Sequence, residues 1–175
     1  LAYCAYGLRA NNGDAAKARE FLKKVLANVV VLETGGRGAT TTFAERGIGD
    51  VLVTFESEVL ALGVRPEFEA VTPSVSILSE FPVAVVDKVA AKRGTTTVAK
   101  GYLEFLYTPQ GQEIIARNFL RPRNPEVAAR HADKLAQVEA LEVDAVFGGW
   151  EKATADFFAN GALIDVLLRE IAAAR

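Results

Sequence analysis

Short apolar runs alternate with amphipathic stretches along this chain, and their different periods separate strands from helices. Asp14 is a good N-cap, and Ala18, Phe21, Leu22, Val25 and Leu26 then fall on one helical face. Val29 to Leu32 is a β-branched and apolar run that predicts a buried strand. The glycine-rich turn Thr34-Gly35-Gly36-Arg37-Gly38 follows, and then Thr40 to Arg46, a short helix closed by Gly47. Asp50 to Thr54 predicts a second strand, Glu56 to Leu62 a helix stopped by Gly63, and Phe68 to Thr72 a third strand. From Ser74 to Pro82 no clean period survives, which suits a crossover between two lobes. Val83 to Val86 predicts a further strand. Thr95 then caps a helix whose buried face is Val98, Ala99, Tyr102, Phe105 and Leu106. Thr108-Pro109 and Asn124-Pro125 each start a helix with proline in its first turn. Asp144 and Gly148-Gly149 precede an aromatic helix containing Trp150, Phe157 and Phe158, which Asn160-Gly161 breaks before a final helix to the C-terminus. Strands alternating with helices in this way predict an α/β layered fold with mainly parallel pairing.

Composition narrows the function classes. Half of the 175 residues are apolar and 24% are charged, enough for a sizeable core and against intrinsic disorder. Twenty basic residues against 22 acidic ones leave a formal charge of −2, which argues against a general nucleic-acid binder. No apolar run approaches the ~18 residues of a membrane span. The chain has no methionine, even at position 1, and no signal-like segment precedes Leu1, so the expectation is that an upstream portion is missing. The single cysteine, Cys4, rules out a disulfide within the chain.

Candidate chemistry concentrates in Gly35-Gly36-Arg37-Gly38-Ala39-Thr40, between a predicted strand and a predicted helix. Glycines let the backbone turn its N–H groups inward, and a helix N-terminus adds free donors and partial positive charge, so the turn suits an oxyanion. It lacks both the Walker A ending and the Gly-x-Gly-x-x-Gly spacing, and a tight turn with a threonine cap is the plainer reading of the residues alone. Arg37 reads as a structural ion pair with Glu33 or Glu45 before an anion contact. Phe55, just beyond a strand end where ligands of open α/β sheets collect, reads first as core. His131, the only histidine, lies in a polar run and reads as solvated surface, whereas Cys4 reads as a small buried hydrophobe. Glu56 and Glu58 are two apart and make a poor acid–base pair on a helix. Trp150, Phe157 and Phe158 read as core packing. No catalytic constellation emerges, and neither a metal nor a cofactor is implied.

The sequence also resembles a known family. Thr34-Gly35-Gly36-Arg37-Gly38-Ala39-Thr40-Thr41-Thr42-Phe43 and Glu45-Arg46-Gly47-Ile48-Gly49-Asp50-Val51-Leu52 are similar to segments of the periplasmic sulfate-binding proteins. So are Thr72-Pro73-Ser74, Pro82 through Val89, Tyr102 through Tyr107, Arg121-Pro122-Arg123, Val146 through Trp150, and Phe158 through Gly161, in order along the chain. The resemblance implies a type II periplasmic-binding fold of two α/β lobes, here incomplete, with the early part of the first lobe missing. Residues 1 to about 76 would be a partial second lobe, and residues 77 to 175 the returning part of the first. The implied function is the solute-binding component of an ABC importer. It would take sulfate, thiosulfate or a related tetrahedral oxyanion in the interlobe cleft and deliver it to a membrane permease outside the cytoplasm. Neither nucleic acid nor direct membrane insertion is involved, and the chain would not be an enzyme. Alternatives are an effector-sensing domain of a transcription regulator, or a piece inactive on its own.

By the same resemblance, the ligand site includes Gly35, Gly36, Arg37 and Phe55. Gly36 stands where the family has an alanine whose backbone N–H binds the anion, and the N–H survives this change. The family's Ser-Gly-Gly anion loop precedes the segment similar to Leu1 to Arg9 and is not in this chain. Phe55 stands where the family has an indole donor. Loss of one donor to a charged ligand costs about 1.5–3 kcal/mol. That is roughly 10- to 100-fold in affinity, or a shift of preference toward another anion.

Overall fold

The computed structural model describes residues 1–63 and 65–174. Its elements in chain order begin with α1 (Ala2–Ala10), α2 (Ala15–Ala27), α3 (Gly36–Ala44), α4 (Glu56–Leu62) and β1 (Val75–Ile77). Next come α5 (Asp87–Lys92), α6 (Thr96–Phe105), α7 (Pro109–Arg117), α8 (Pro125–Arg130) and β2 (Glu139–Leu141). The chain finishes with α9 (Val143–Phe147), α10 (Trp150–Ala153), a π-helical turn over Thr154–Phe158, and α11 (Leu163–Ala173). Arg175, the expected end of the last helix, lies outside the described residues. The result is a helix-rich α/β chain with one small parallel sheet.

Two compact units divide the chain. One comprises Leu1–Leu32, Val71–Ser79 and the chain from Val138 onward; the other comprises Glu33–Ala70 and Glu80–Gln137. The expected lobe partition at residue 76 falls at the middle residue of β1, Ser76. There it pairs with Ala140 of β2.

The first unit is built on that pair. Val75, Ser76 and Ile77 lie in parallel register with Glu139, Ala140 and Leu141, extended by Glu139 N–H to Ser74 O (3.2 Å) and Leu78 N–H to Leu141 O (2.9 Å). Its core is Cys4 and Ala5 of α1, Leu22 of α2, Val143 and Phe147 of α9, Ala153 of α10 and Leu167 of α11. Cys4 is therefore buried as expected, and burial pushes its thiol pKa up. Asp14 caps α2 as its sequence predicts, accepting from Lys17 N–H at 3.1 Å. The aromatic segment is core only in part. Phe157 packs edge-on against Phe147 at 5.2 Å, but Trp150 and Phe158 are exposed.

The second unit holds together through local caps and one buried amide. Thr108 Oγ1 accepts from Gly111 N–H (3.1 Å), and Asn124 Oδ1 accepts from the N–H groups of Glu126 and Val127, so both proline-started helices form where expected. Gln112 is buried, donates to Leu106 O (2.7 Å), and accepts from Arg123 N–H (2.6 Å) and Asn124 N–H (3.1 Å). This amide fastens the end of α6 and the start of α8 to α7. The helix at Thr96 also forms, but its expected buried face does not. Val98 is 73% exposed and Tyr102 and Phe105 are exposed, while Ala99 and Leu103 border a shallow apolar groove with Val86 and Val89. The apolar period predicts a helix; it does not guarantee that something covers the face.

Four expected strands, Val29–Leu32, Asp50–Thr54, Phe68–Thr72 and Val83–Val86, are irregular and form no ladder among the described residues. Val30 is 74% and Val51 79% exposed. An apolar β-branched run becomes a strand only when a partner supplies the other half of its hydrogen bonds. β1 instead arises inside Ser74–Pro82, where no strand was expected.

His131 corrects another expectation. It is 8% exposed rather than solvated, and its Nε2 lies 2.8 Å from Glu113 Oε1. Arg130 reaches Glu113 Oε2 at 3.1 Å, and Arg117 lies 3.3 Å from Oε1. Three basic groups from two helices meet one carboxylate, so a sequence that looks polar closes over its own charge. The hydrogen bond from His131, then that from Arg130, lowers the Glu113 pKa from 4.5 to about 2. A lowered carboxylate pKa adds stability that is fully present above about 4.5 and lost as pH falls toward 2. Glu113→Gln is therefore expected to lower the thermal midpoint at pH 7, with a gap to the parent that closes between pH 4.5 and 2. A constant gap across that range would refute this.

Candidate functional site

The site starts with a helix that begins earlier than expected. Helix α3 opens at Gly36, not Thr40, with extended Gly35 (φ −165°, ψ 158°) as its N-cap. Thr40 is consequently no cap. It sits one turn in, buried, with its hydroxyl donating back to Gly36 O at 2.9 Å. Because Gly35 has no side chain, nothing caps the first turn, and the N–H groups of Gly36, Arg37 and Gly38 have no partner among the described residues. At the other end Gly47 takes φ +65°, its N–H bonding Phe43 O, and the helix stops as its sequence predicts.

Phe55 and Thr54 border this open end. Phe55 is the N-cap of α4, 45% exposed rather than core, and meets Phe81 edge-on at 6.0 Å. Its ring lies against Gly36. A Cβ at residue 36 would stand 2.9 Å from Phe55 Cδ2 and 3.2 Å from Thr54 Oγ1. Only glycine lets the ring approach so closely. Thr54 Oγ1 is shut off from solvent and has no hydrogen-bond partner. Sequence reasoning passed over Thr54; its one signal is a hydroxyl at the end of an otherwise apolar run.

The charges around the site are already matched. Arg37 makes a bidentate pair with Glu58 (2.7 and 3.0 Å), not with Glu33 or Glu45, and this raises its pKa further. Arg121 makes a second bidentate pair with Glu56 (2.7 and 2.8 Å) and also donates to Ala136 O. Glu56 and Glu58 thus each hold an arginine and form no acid–base pair. Glu33 accepts from Thr42 Oγ1 at 2.7 Å and flanks Gly38. What remains available to a ligand at α3 is backbone N–H and helix dipole, not free cationic charge. Gly35, Gly36, Arg37 and Phe55 do converge, with Arg37 facing a carboxylate. Among the described residues no three His, Cys, Asp or Glu side chains group to hold a metal, and no helix is long and apolar enough to cross a membrane.

Comparison with known proteins places the chain in a family. Residues 2–121 match the model of the bacterial extracellular solute-binding proteins, and the chain belongs to that family. Its relatives include the sulfate-binding protein of Salmonella typhimurium, 52% identical over 169 residues, or 94% of this chain and 51% of that protein. The thiosulfate-binding protein of Pseudomonas aeruginosa is 48% identical over 89% of this chain and 48% of its own length. That of Escherichia coli is 48% identical over 91% of this chain and 48% of its own length. The chain spans about half the length of the curated relatives it matches.

Proposed function

We propose that this chain is part of the solute-binding component of an ABC importer, which captures sulfate or thiosulfate and hands it to a membrane permease outside the cytoplasm. The finer architecture proposed is the two-lobe type II fold, of which this chain is the later part, with the ligand held between lobes. The observation that carries the reading is the uncapped first turn of α3, with three free N–H groups beside arginines already paired to carboxylates. A dianion there is stabilised by dipoles that cannot lock it to a counter-charge, which suits a carrier that must release its cargo. The names of the relatives supply the ligand class.

The test is calorimetric titration of sulfate, thiosulfate and molybdate into the full-length gene product. Saturable binding of sulfate or thiosulfate is expected, and binding of neither rejects the reading. Two variants isolate the donor. Gly36→Ala keeps the N–H and crowds Phe55, whereas Gly36→Pro adds similar bulk and removes the N–H at a helix position where proline is well tolerated. The proline variant is expected to bind roughly 10- to 100-fold more weakly than the alanine variant, the cost of one donor to a charged ligand. Equal affinities would remove Gly36 N–H from the site.

A further inference from the structure

We infer that the Thr54 hydroxyl is a ligand donor at the first turn of α3, covered by the Phe55 ring until that ring swings aside for the anion. This rests on the oxyanion-binding reading above and adds a residue to it.

Thr54 Oγ1 is shut off from solvent and unpartnered, one of two such side-chain atoms among the described residues with His131 Nδ1, whereas the buried Gln112 amide of the same unit is bonded at both its nitrogen and its oxygen. A hydroxyl can rotate its proton toward any nearby acceptor, so one left unmatched where solvent does not reach its oxygen is costly and uncommon. Its position is also specific. It sits 3.2 Å from the point where a Gly36 side chain would begin, on the turn whose N–H groups are free. The side chain is β-branched, so its rotamer is stiff and the direction of the oxygen is set by the backbone leading into α4.

The Phe55 ring covers the same point, 2.9 Å from the Gly36 Cβ position, and is the movable part. It is 45% exposed, and its described ring partner is Phe81, met edge-on, so an outward turn gives up its contact with Gly36 and opens the first turn of α3. A ring turned outward leaves Gly36 N–H and Thr54 O–H facing one space, two neutral donors for one tetrahedral oxyanion.

The experiment uses the full-length gene product with sulfate and thiosulfate as probes. Thr54→Val keeps the shape and removes the hydroxyl; Thr54→Ser keeps the hydroxyl and removes a methyl. Expected for Thr54→Val are a thermal midpoint without ligand that is unchanged or raised, and a sulfate or thiosulfate Kd weakened roughly 10- to 100-fold. Thr54→Ser is expected to stay within about threefold of the parent, since the donor to the charged ligand remains. Should the valine variant fold poorly, Thr54→Ala supplies the same loss of hydroxyl and is expected to weaken binding equally. Parent-like affinity in a folded Thr54→Val or Thr54→Ala protein overturns the inference, as does equal weakening in Thr54→Ser. A parent protein that binds neither anion rejects the functional reading itself, so the two failures are distinct.

Discussion

Leu167→Ala is expected to lower the stability of the first unit by about 2–5 kcal/mol. Leu167 is 0% exposed, on the inward face of α11, among Cys4, Ala5, Leu22, Val143, Phe147 and Ala153. Ala5 and Ala153 are already small and cannot grow into the cavity, and Phe147 is fixed by its edge contact with Phe157. The gap would stay open, which places the cost in the upper part of that range. Trp150, the only tryptophan, lies in the same unit and reports on it. Its fluorescence transition in urea should move to lower denaturant by at least about 1 M, given slopes of roughly 1–3 kcal/mol per M. A shift below about 0.3 M would mean that the core collapses around the cavity, contrary to the packing described.

Gly111→Ala is expected to cost about 3 kcal/mol or more in the second unit, at or above the upper end for overpacking. The reason is backbone, not side chain. A methyl there would lie 2.1 Å from Phe105 O and 3.0 Å from Leu106 Cα, and neither atom belongs to a flexible group that can turn away. Helix α7 would have to lift from the end of α6, breaking the Gln112 bonds to Leu106 O, Arg123 and Asn124. Loss of helical circular dichroism and a lowered urea midpoint would report it. Gly101, inside α6 with open space around it, gives the opposite sign. Gly101→Ala is expected to stabilise by roughly 0.5–1 kcal/mol, because glycine in a helix interior costs about that much. If both alanine variants moved stability the same way, local crowding would not be the cause at Gly111.

What was legible in the sequence was local. Asp14, Thr108 and Asn124 act within three residues of themselves, and each caps the helix expected of it. Helix α4 ends at Leu62 and Gly63 follows at φ +70°, a stop that depends on one residue's freedom to go left-handed. Strands were not legible, since a run such as Asp50–Thr54 carries no record of whether a partner lies beside it. Charge partners were equally hidden. Arg37 is near Glu33 and Glu45 in sequence, but helical geometry gives it Glu58, 21 residues away. His131 looked solvated because its neighbours are polar, yet those charges turn onto Glu113, 18 residues back. At the site, the glycine turn was legible through its composition. Phe55 was brought beside Gly36 only by the family resemblance, and the closeness of Thr54 to Gly36 was not legible at all, because it depends on the approach of two helix starts.

The interleaving of the two units has a consequence for the chain as it is made. Cys4 and Ala5 on α1 share a core with Phe147 and Leu167, and β1 waits for β2 across an intervening stretch that belongs to the other unit. Synthesis at roughly 5–20 residues per second separates the emergence of Cys4 from that of Leu167 by about 10–30 s. Through that interval α1 has α2 and then β1 to pack against but lacks Phe147 and Leu167, which leaves part of its apolar, thiol-bearing face open on the nascent chain. The second unit faces no such delay, since its last segment, ending at Gln137, is complete before α9 and α11 exist. Birth order thus favours the part carrying the glycine turn of α3, while the unit holding α1 and α2 is completed only when α11 emerges.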